Sequence, residues 1–179
     1  MDDKDLLTLF RDGRREYAYG LIVKKYSERI YWHIRKMVIC HEDANDLTQN
    51  TLLKAWNALP EFREESRLYT WLYRIATNEV LTFLKRKKLR NFISLDEISK
   101  QLENALEADS WFNGDKAQKA LHKAILKLPE KQRLVFNLRY FEEMKYEDMS
   151  EILNTSVGAL KASYHHAHSK IEEEMKGLL

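Results

Sequence analysis

Two prolines and five glycines in 179 residues constrain this chain more than any other feature. Loop-rich and β-turn-rich folds draw on both residues, Pro for its fixed φ and Gly for positive φ. A chain this poor in them has few tight turns and must organise its apolar residues in long helices. The patterning agrees: apolar residues recur three and four apart, and no stretch alternates convincingly with period two. The fold class is therefore all-α. With 44% hydrophobic residues there is material for real cores, and full disorder is excluded. The single cysteine, Cys40, rules out an internal disulfide framework and suits a reducing compartment. No apolar run approaches the roughly 20 residues of a membrane span. The acidic start, MDDKDLLTLF, is unlike a signal peptide. The expected location is cytoplasmic.

The near-neutral total of +2 hides a segregation. Residues 1–90 carry 18 basic and 13 acidic side chains, a net of +5. Residues 91–117 carry 2 and 6, a net of −4, and residues 118–179 carry 10 and 9, a net of +1. This predicts two small helical domains, 1–90 and 118–179, joined by a flexible acidic linker over 91–117. The linker lacks one sustained apolar face, although Ile98, Leu102 and Leu106 could make a short helix.

In the first block, Asp2 or Asp3 can cap a helix with Leu6, Leu9 and Phe10 inward, broken at Gly13. A second helix is expected over about Tyr17 to Val38 and a third over about Glu42 to Leu59. Leu47, Thr51, Ala55 and Leu59 make the buried stripe of the third, and Pro60 ends it. A fourth runs from about Leu68 to Lys88. In the last block, a helix through Leu121, Ile125 and Leu128 is halted by Pro129, and the next ends near Phe141. Then a short helix, Tyr146 to Leu153, a polar break, Asn154-Thr155-Ser156, and a longer helix from Val157 form a helix-turn-helix pattern. Val157, Leu160, Tyr164, Ala167 and Ile171 should face inward.

No catalytic constellation stands out: there is no glycine-rich phosphate loop, no HExxH and no nucleophile elbow. His165, His166 and His168 together with His122 suggest a metal site, but at most His165 and His168 share a helix face, so a solvated or DNA-facing role outweighs it. Cys40-His41, a lone pair at a helix end, reads as structural. No cofactor and no small-molecule substrate are expected. Two positive signals remain. Lys85-Arg86-Lys87-Lys88-Leu89-Arg90 puts five cations at a helix end, either to hold phosphates or to complement the helix dipole. Upstream, Phe62, Tyr69, Trp71 and Tyr73 interleave with Arg63, Arg67 and Arg74, a mixture suited to stacking bases and following a single-strand backbone. For Trp71 and Tyr73 core packing is the competing explanation.

These residues carry a family resemblance. The run DANDLTQNTLLKAWNALPEFREESRLYTWLYRIATNEVLTFLKRKK resembles the second conserved region of bacterial extracytoplasmic-function sigma factors of the sigma-70 family. LPEKQRLVFNLRYFEEMKYEDMSEILNTSVGALKASYHHAHSKIE resembles their fourth region. Both blocks occur in order across nearly the whole chain. The resemblance implies a subunit that directs core RNA polymerase to promoters and stabilises the melted −10 strand, without catalysing. It implies docking on the polymerase β′ clamp helices, alongside the β subunit, through Asp43, Asp46, Leu47, Gln49, Asn50, Leu53 and Trp56. Core packing is the rival reading for Leu47 and Trp56. It implies −10 contacts from Phe62, Arg63, Ser66, Tyr69, Thr70, Arg74 and Asn78, followed by Arg86 and Lys87. It places −35 readout on Ala159, Lys161, Ala162, Ser163, His165, His166, Ser169 and Lys170. It also implies an anti-sigma partner, often membrane-tethered, and a linker that threads polymerase's nucleic-acid channels.

The chain departs from the family pattern at three places. Glu64 stands where the family has glycine, Asn50 where it has glutamate, and the recognition helix lacks arginine. Bidentate Arg–guanine contacts are therefore unavailable from Ala162, Ser163, His165 and His166, which predicts a different −35 preference. Two other classes compete: a conventional helix-turn-helix repressor or activator, and a helical adaptor that binds only protein. The second leaves the Lys85–Arg90 cluster unexplained.

Overall fold

The computed structural model of the chain describes residues 1–91 and 94–178. Among them the secondary structure is helical throughout: α1 (Asp3–Arg11), α2 (Arg15–Val38), α3 (His41–Ala58), a 3-10 turn (Leu59–Glu61), α4 (Leu68–Asn91), α5 (Leu95–Ala108), α6 (Lys116–Leu126), α7 (Glu130–Tyr140), α8 (Tyr146–Leu153) and α9 (Val157–Leu178). The expected boundary after residue 90 falls beside 92 and 93, which lie outside the described residues.

Local chemistry explains most ends. Asp2 and Asp5 form a reciprocal capping box at the start of α1, and Ser94 and Glu97 form another at α5. Pro60 lies in the 3-10 turn that follows α3. Pro129 starts α7 as its N-cap, one turn beyond the end of α6, so it opens a helix as well as stopping one. Asn154 ends α8 in the left-handed conformation that asparagine tolerates. Ser156 accepts a hydrogen bond from the Ala159 amide, capping α9.

Helices α1 to α4 bury the faces that the periodicity marks, with Leu6, Phe10, Ile22, Ile30, Ile34, Leu47, Ala55 and Leu72 all within the core. That core does not stop at the first block. Leu134, Val135 and Leu138 of α7, Met149 and Ile152 of α8 and Leu160 of α9 belong to the same buried cluster. The acidic middle segment is a docked amphipathic helix. Ile98, Leu102 and Leu106 sit one turn apart along α5 and pack with Phe112, Leu126 and Ile39. A third cluster joins α6, α7 and α9 through Ile125, Phe136, Ala167 and Ile171.

Two histidines lie inside. His33 is 1% exposed, with Nε2 3.0 Å from the Thr77 hydroxyl. His122 is 4% exposed, edge-on to Phe112 and stacked on Phe141. Burial, and secondly the positive charge of Lys36, push His33 down to about 3 and His122 to about 4, from the ordinary 6.5. The unfolded chain takes up these protons near pH 6.5 while the folded chain refuses them. Their stabilisation is thus complete above pH 6.5 and is lost as pH falls toward 4. The melting temperature should fall steadily between pH 6.5 and 4.5, above most carboxylate titration. His122→Phe should flatten part of that slope.

Candidate nucleic-acid interface

Helix α3 turns its polar residues outward. Asp46, Gln49, Asn50 and Leu53 are all exposed, and their spacing of three and four puts them on one face. Leu53 is 61% exposed, unusual for a leucine amid polar neighbours. Leu47 is buried, and Trp56 packs edge-on against Phe10 and beside Tyr19, so both serve the core. Asp43, Asn50 and Leu47 share a groove of about 400 Å³ with Arg86, Lys87 and Arg90 of α4. The carboxamide face of α3 and the basic end of α4 are therefore continuous.

The 62–67 loop leads from the 3-10 turn into α4. Glu64 there has φ 59°, the conformation that suits glycine, and its carboxylate is paired with Arg11. Left-handed backbone costs a non-glycine residue roughly 1–2 kcal/mol, while an exposed ion pair is worth about 0–1 kcal/mol. Glu64→Gly should therefore raise stability by up to about 1 kcal/mol, read as a shift in the denaturant midpoint. Glu64→Ala, which keeps the strain and loses the pair, should not.

Phe62 lies 4.9 Å from Trp71, and Trp71 is 9% exposed, so Trp71 is a core residue on which Phe62 rests. Arg63, Arg74, Asn78 and Arg86 are exposed, and Ser66, Tyr69 and Lys87 are half-buried. Thr70 and Tyr73 are fully buried. Tyr69 and Tyr73 lie 4.5 Å apart, with the Arg29 guanidinium 4.8 Å above the Tyr69 ring. Burial raises the Tyr69 phenol to about 12 and the Tyr73 phenol further, so both stay neutral; the Tyr69 oxygen accepts from Arg29 at 3.4 Å, and the Tyr73 hydroxyl donates to Glu142 at 2.7 Å. Arg29 of α2 completes this cluster, and Lys36 joins it through Glu142, which the Tyr73 hydroxyl also meets; the motifs did not mark either cation. Their spacing with Trp32 along one helix, a basic-aromatic stripe in YSERIYWHIRK, was the available signal.

Helices α8 and α9 have the helix-turn-helix arrangement. Ala159, Lys161, Ala162, His165, His166, Ser169 and Lys170 are exposed along α9. Ser163 is half-buried and turns away, into a cavity of about 220 Å³ that it shares with Asn78 and Leu81 of α4. Leu160, Ala167 and Ile171 hold the inner face. No described helix is long and apolar enough to cross a membrane.

Comparison with known proteins places these faces in a family. Residues 22–90 match the model for sigma-70 region 2, and residues 118–171 match that for sigma-70 region 4. An RNA polymerase sigma-H factor from Pseudomonas aeruginosa is 30% identical, the alignment covering 99% of this chain and 95% of that protein. The ECF RNA polymerase sigma factor SigW of Bacillus subtilis is 27% identical, with 90% of each chain covered. Among solved structures, CnrH in complex with the cytosolic domain of CnrY has a TM-score of 0.71 at 21% identity, covering 98% of this chain and 97% of that one.

Proposed function

The chain belongs to the extracytoplasmic-function group of the sigma-70 family of RNA polymerase sigma factors, and from that membership we propose a division of labour among its exposed faces. It directs core polymerase to specific promoters and acts in transcription initiation, with core RNA polymerase and promoter DNA as partners. In this reading, residues 1–90 and 118–179 are two working modules and 91–117 connects them. The α3 face of Asp46, Gln49, Asn50 and Leu53, flanked by Asp43, meets the polymerase clamp. An exposed apolar side chain ringed by polar groups is the usual make-up of an interface core and rim. Leu47 and Trp56 support that face from within.

The 62–67 loop and α4 take the −10 strand. Arg63, Arg74, Arg86 and Lys87 neutralise phosphates, while Phe62 and Tyr69 offer rings for unstacked bases. Ser66, Thr70 and Asn78 supply hydrogen bonds to base edges. Helix α9 enters the −35 major groove, with Lys161 and Lys170 positioned for phosphates and His165 and His166 for base edges. The polymerase performs the chemistry and the sigma factor contributes binding, in the cytoplasm where polymerase acts. An anti-sigma protein that covers these faces is the remaining partner in this reading.

The single observation that carries the proposal is the pairing, in one chain and in family order, of region 2 and region 4 with their polar faces exposed. Reconstitution with core polymerase and a promoter library tests it. Initiation at a restricted set of promoters is expected. Failure to associate with core polymerase, with tight duplex binding by the chain alone, would favour a conventional repressor.

A further inference from the structure

The loop proposed above to meet the −10 strand holds one strained residue, and its brace comes from outside the loop. Glu64 sits at φ 59°, a backbone region that a residue with a Cβ adopts only at a cost. The guanidinium of Arg11, the last residue of α1, pairs with the Glu64 carboxylate. Helix α1 is a firm support for that contact. Leu6, Leu7 and Phe10 are buried, and Phe10 meets Trp56 edge-on. Asp3 accepts from the Tyr26 hydroxyl and from the Lys25 ammonium, each at 2.7 Å. Lys4 and Leu7 also line the same groove as Phe62, Ser66 and Arg67, so α1 backs the loop along its length. The match to region 2 begins at residue 22, so it assigns Arg11 no role.

Arg63 and Ser66, on either side of Glu64 in the chain, are two of the proposed −10 contacts. A carboxylate between them repels phosphate, because adjacent residues lie well inside a Debye length of about 8 Å at physiological salt. Left unpaired, it would also compete with phosphate for Arg63. Arg11 acts on both problems at once. It supplies the opposite charge, and it ties the Glu64 side chain to α1. Holding that side chain holds the backbone turn that sets the directions of Arg63 and Ser66. A loop ordered before it meets DNA has less freedom to lose on binding.

We infer that Arg11 is a positioning residue for −10 strand capture, acting through Glu64 to hold the 62–67 loop in its binding form and to mask its carboxylate. The inference rests on the reading of that loop as a −10 contact. Its signature is dependence on Glu64: with glycine at position 64 there is no strain to brace and no charge to mask, so Arg11 loses its effect.

The test uses full-length chains assembled with core polymerase, on the promoters at which the wild-type holoenzyme initiates in the library experiment above. Wild type is compared with R11A, R11K, E64G and R11A/E64G. R14A removes another exposed cation, at the start of α2, and controls for charge. Open complexes are followed by permanganate reactivity of unpaired thymines and by their lifetime after a heparin challenge. R11A should shorten the lifetime at least three-fold, while R11K and R14A stay within two-fold of wild type. E64G should match or exceed wild type, and R11A/E64G should stay within two-fold of E64G. The library should show R11A broadening base preference at −10 and leaving −35 preference unchanged, since α9 is untouched. An R11A loss no larger than that of R14A overturns the inference. So does an R11A loss as large in the E64G background as in wild type, which would mean that Arg11 acts on DNA directly or only supports α1. R11A should melt within about 2 °C of wild type. If it melts lower, the E64G background still decides, because damage to α1 would shorten the lifetime there equally. A wild-type chain that gives no promoter-specific initiation overturns the −10 reading itself, and the inference with it.

Discussion

Leu53→Lys should cost at least ten-fold in affinity for core polymerase and remove most promoter-specific transcription, with the melting temperature unchanged within about 2 °C. Leu53 is 61% exposed on a helix whose inner stripe, Leu47, Thr51 and Ala55, is buried. Its side chain therefore contributes little to folding, and an exposed substitution of this kind usually changes stability by less than about 0.5 kcal/mol. A lone exposed leucine would mean nothing by itself. Here it is flanked at three and four residues by Gln49 and Asn50, on the face that also carries Asp46. Apolar anchors at interface centres commonly cost more than 1–2 kcal/mol when lost, and 1.4 kcal/mol is ten-fold. Lysine adds an unpaired cation at the desolvated centre, so the loss should exceed that of alanine. Competition for core polymerase and run-off transcription measure it. Unchanged transcription by Leu53→Lys would remove this face from the polymerase interface.

That face was legible in the sequence because a helix repeats. Once α3 is set by Leu47, Thr51, Ala55 and Leu59, the outward positions follow from a 100° step. The same logic located α8 at Tyr146–Leu153 and the start of α9 at Val157, with Ser156 as cap. Periodicity names the buried face of a helix but not the surface that buries it. Leu160 was readable as inward-facing, yet nothing local tells that its cluster includes Leu72 and Val80 of the first block. For the same reason Thr70 reads as a free DNA contact, whereas it donates to Asp148 across 78 residues of chain, and Tyr73, for which core packing was the competing explanation, is buried and donates to Glu142 across 69. Glu142 and Asp148 themselves, in FEEMKYED, carry no signal that separates them from solvated charges. Helix α5 was hard to see for another reason. Its apolar stripe is one residue wide, at Ile98, Leu102 and Leu106, within an acidic stretch that reads as linker.

The docking of that linker should be the weakest joint in the chain, and Phe112→Ala should release it. Phe112 is fully buried, edge-on to His122 and 5.3 Å from the Arg35 guanidinium. Arg35 is 4% exposed, pairs with Asp109, and leaves Nε and Nη1 without partners. Ile39 reaches the same cluster from a backbone with φ 64° and ψ −44°, a tight turn closed by the Cys40 amide on the Val38 carbonyl. Such a conformation costs a β-branched residue roughly 1–3 kcal/mol. Against these costs stand four large apolar side chains, each worth about 1.5–3 kcal/mol on burial. Truncating a buried phenylalanine costs about 3–5 kcal/mol. Hydrogen exchange should show the amides of α5 losing at least a hundred-fold in protection, while α2 and α4 keep theirs, because every 1.4 kcal/mol is a factor of ten. Loss of protection throughout the chain would mean that the linker is part of one cooperative core. Retained protection in α5 would mean that its own capping box and apolar stripe suffice. Release alone is the outcome that leaves an acidic segment free to leave Arg35 and move with the polymerase.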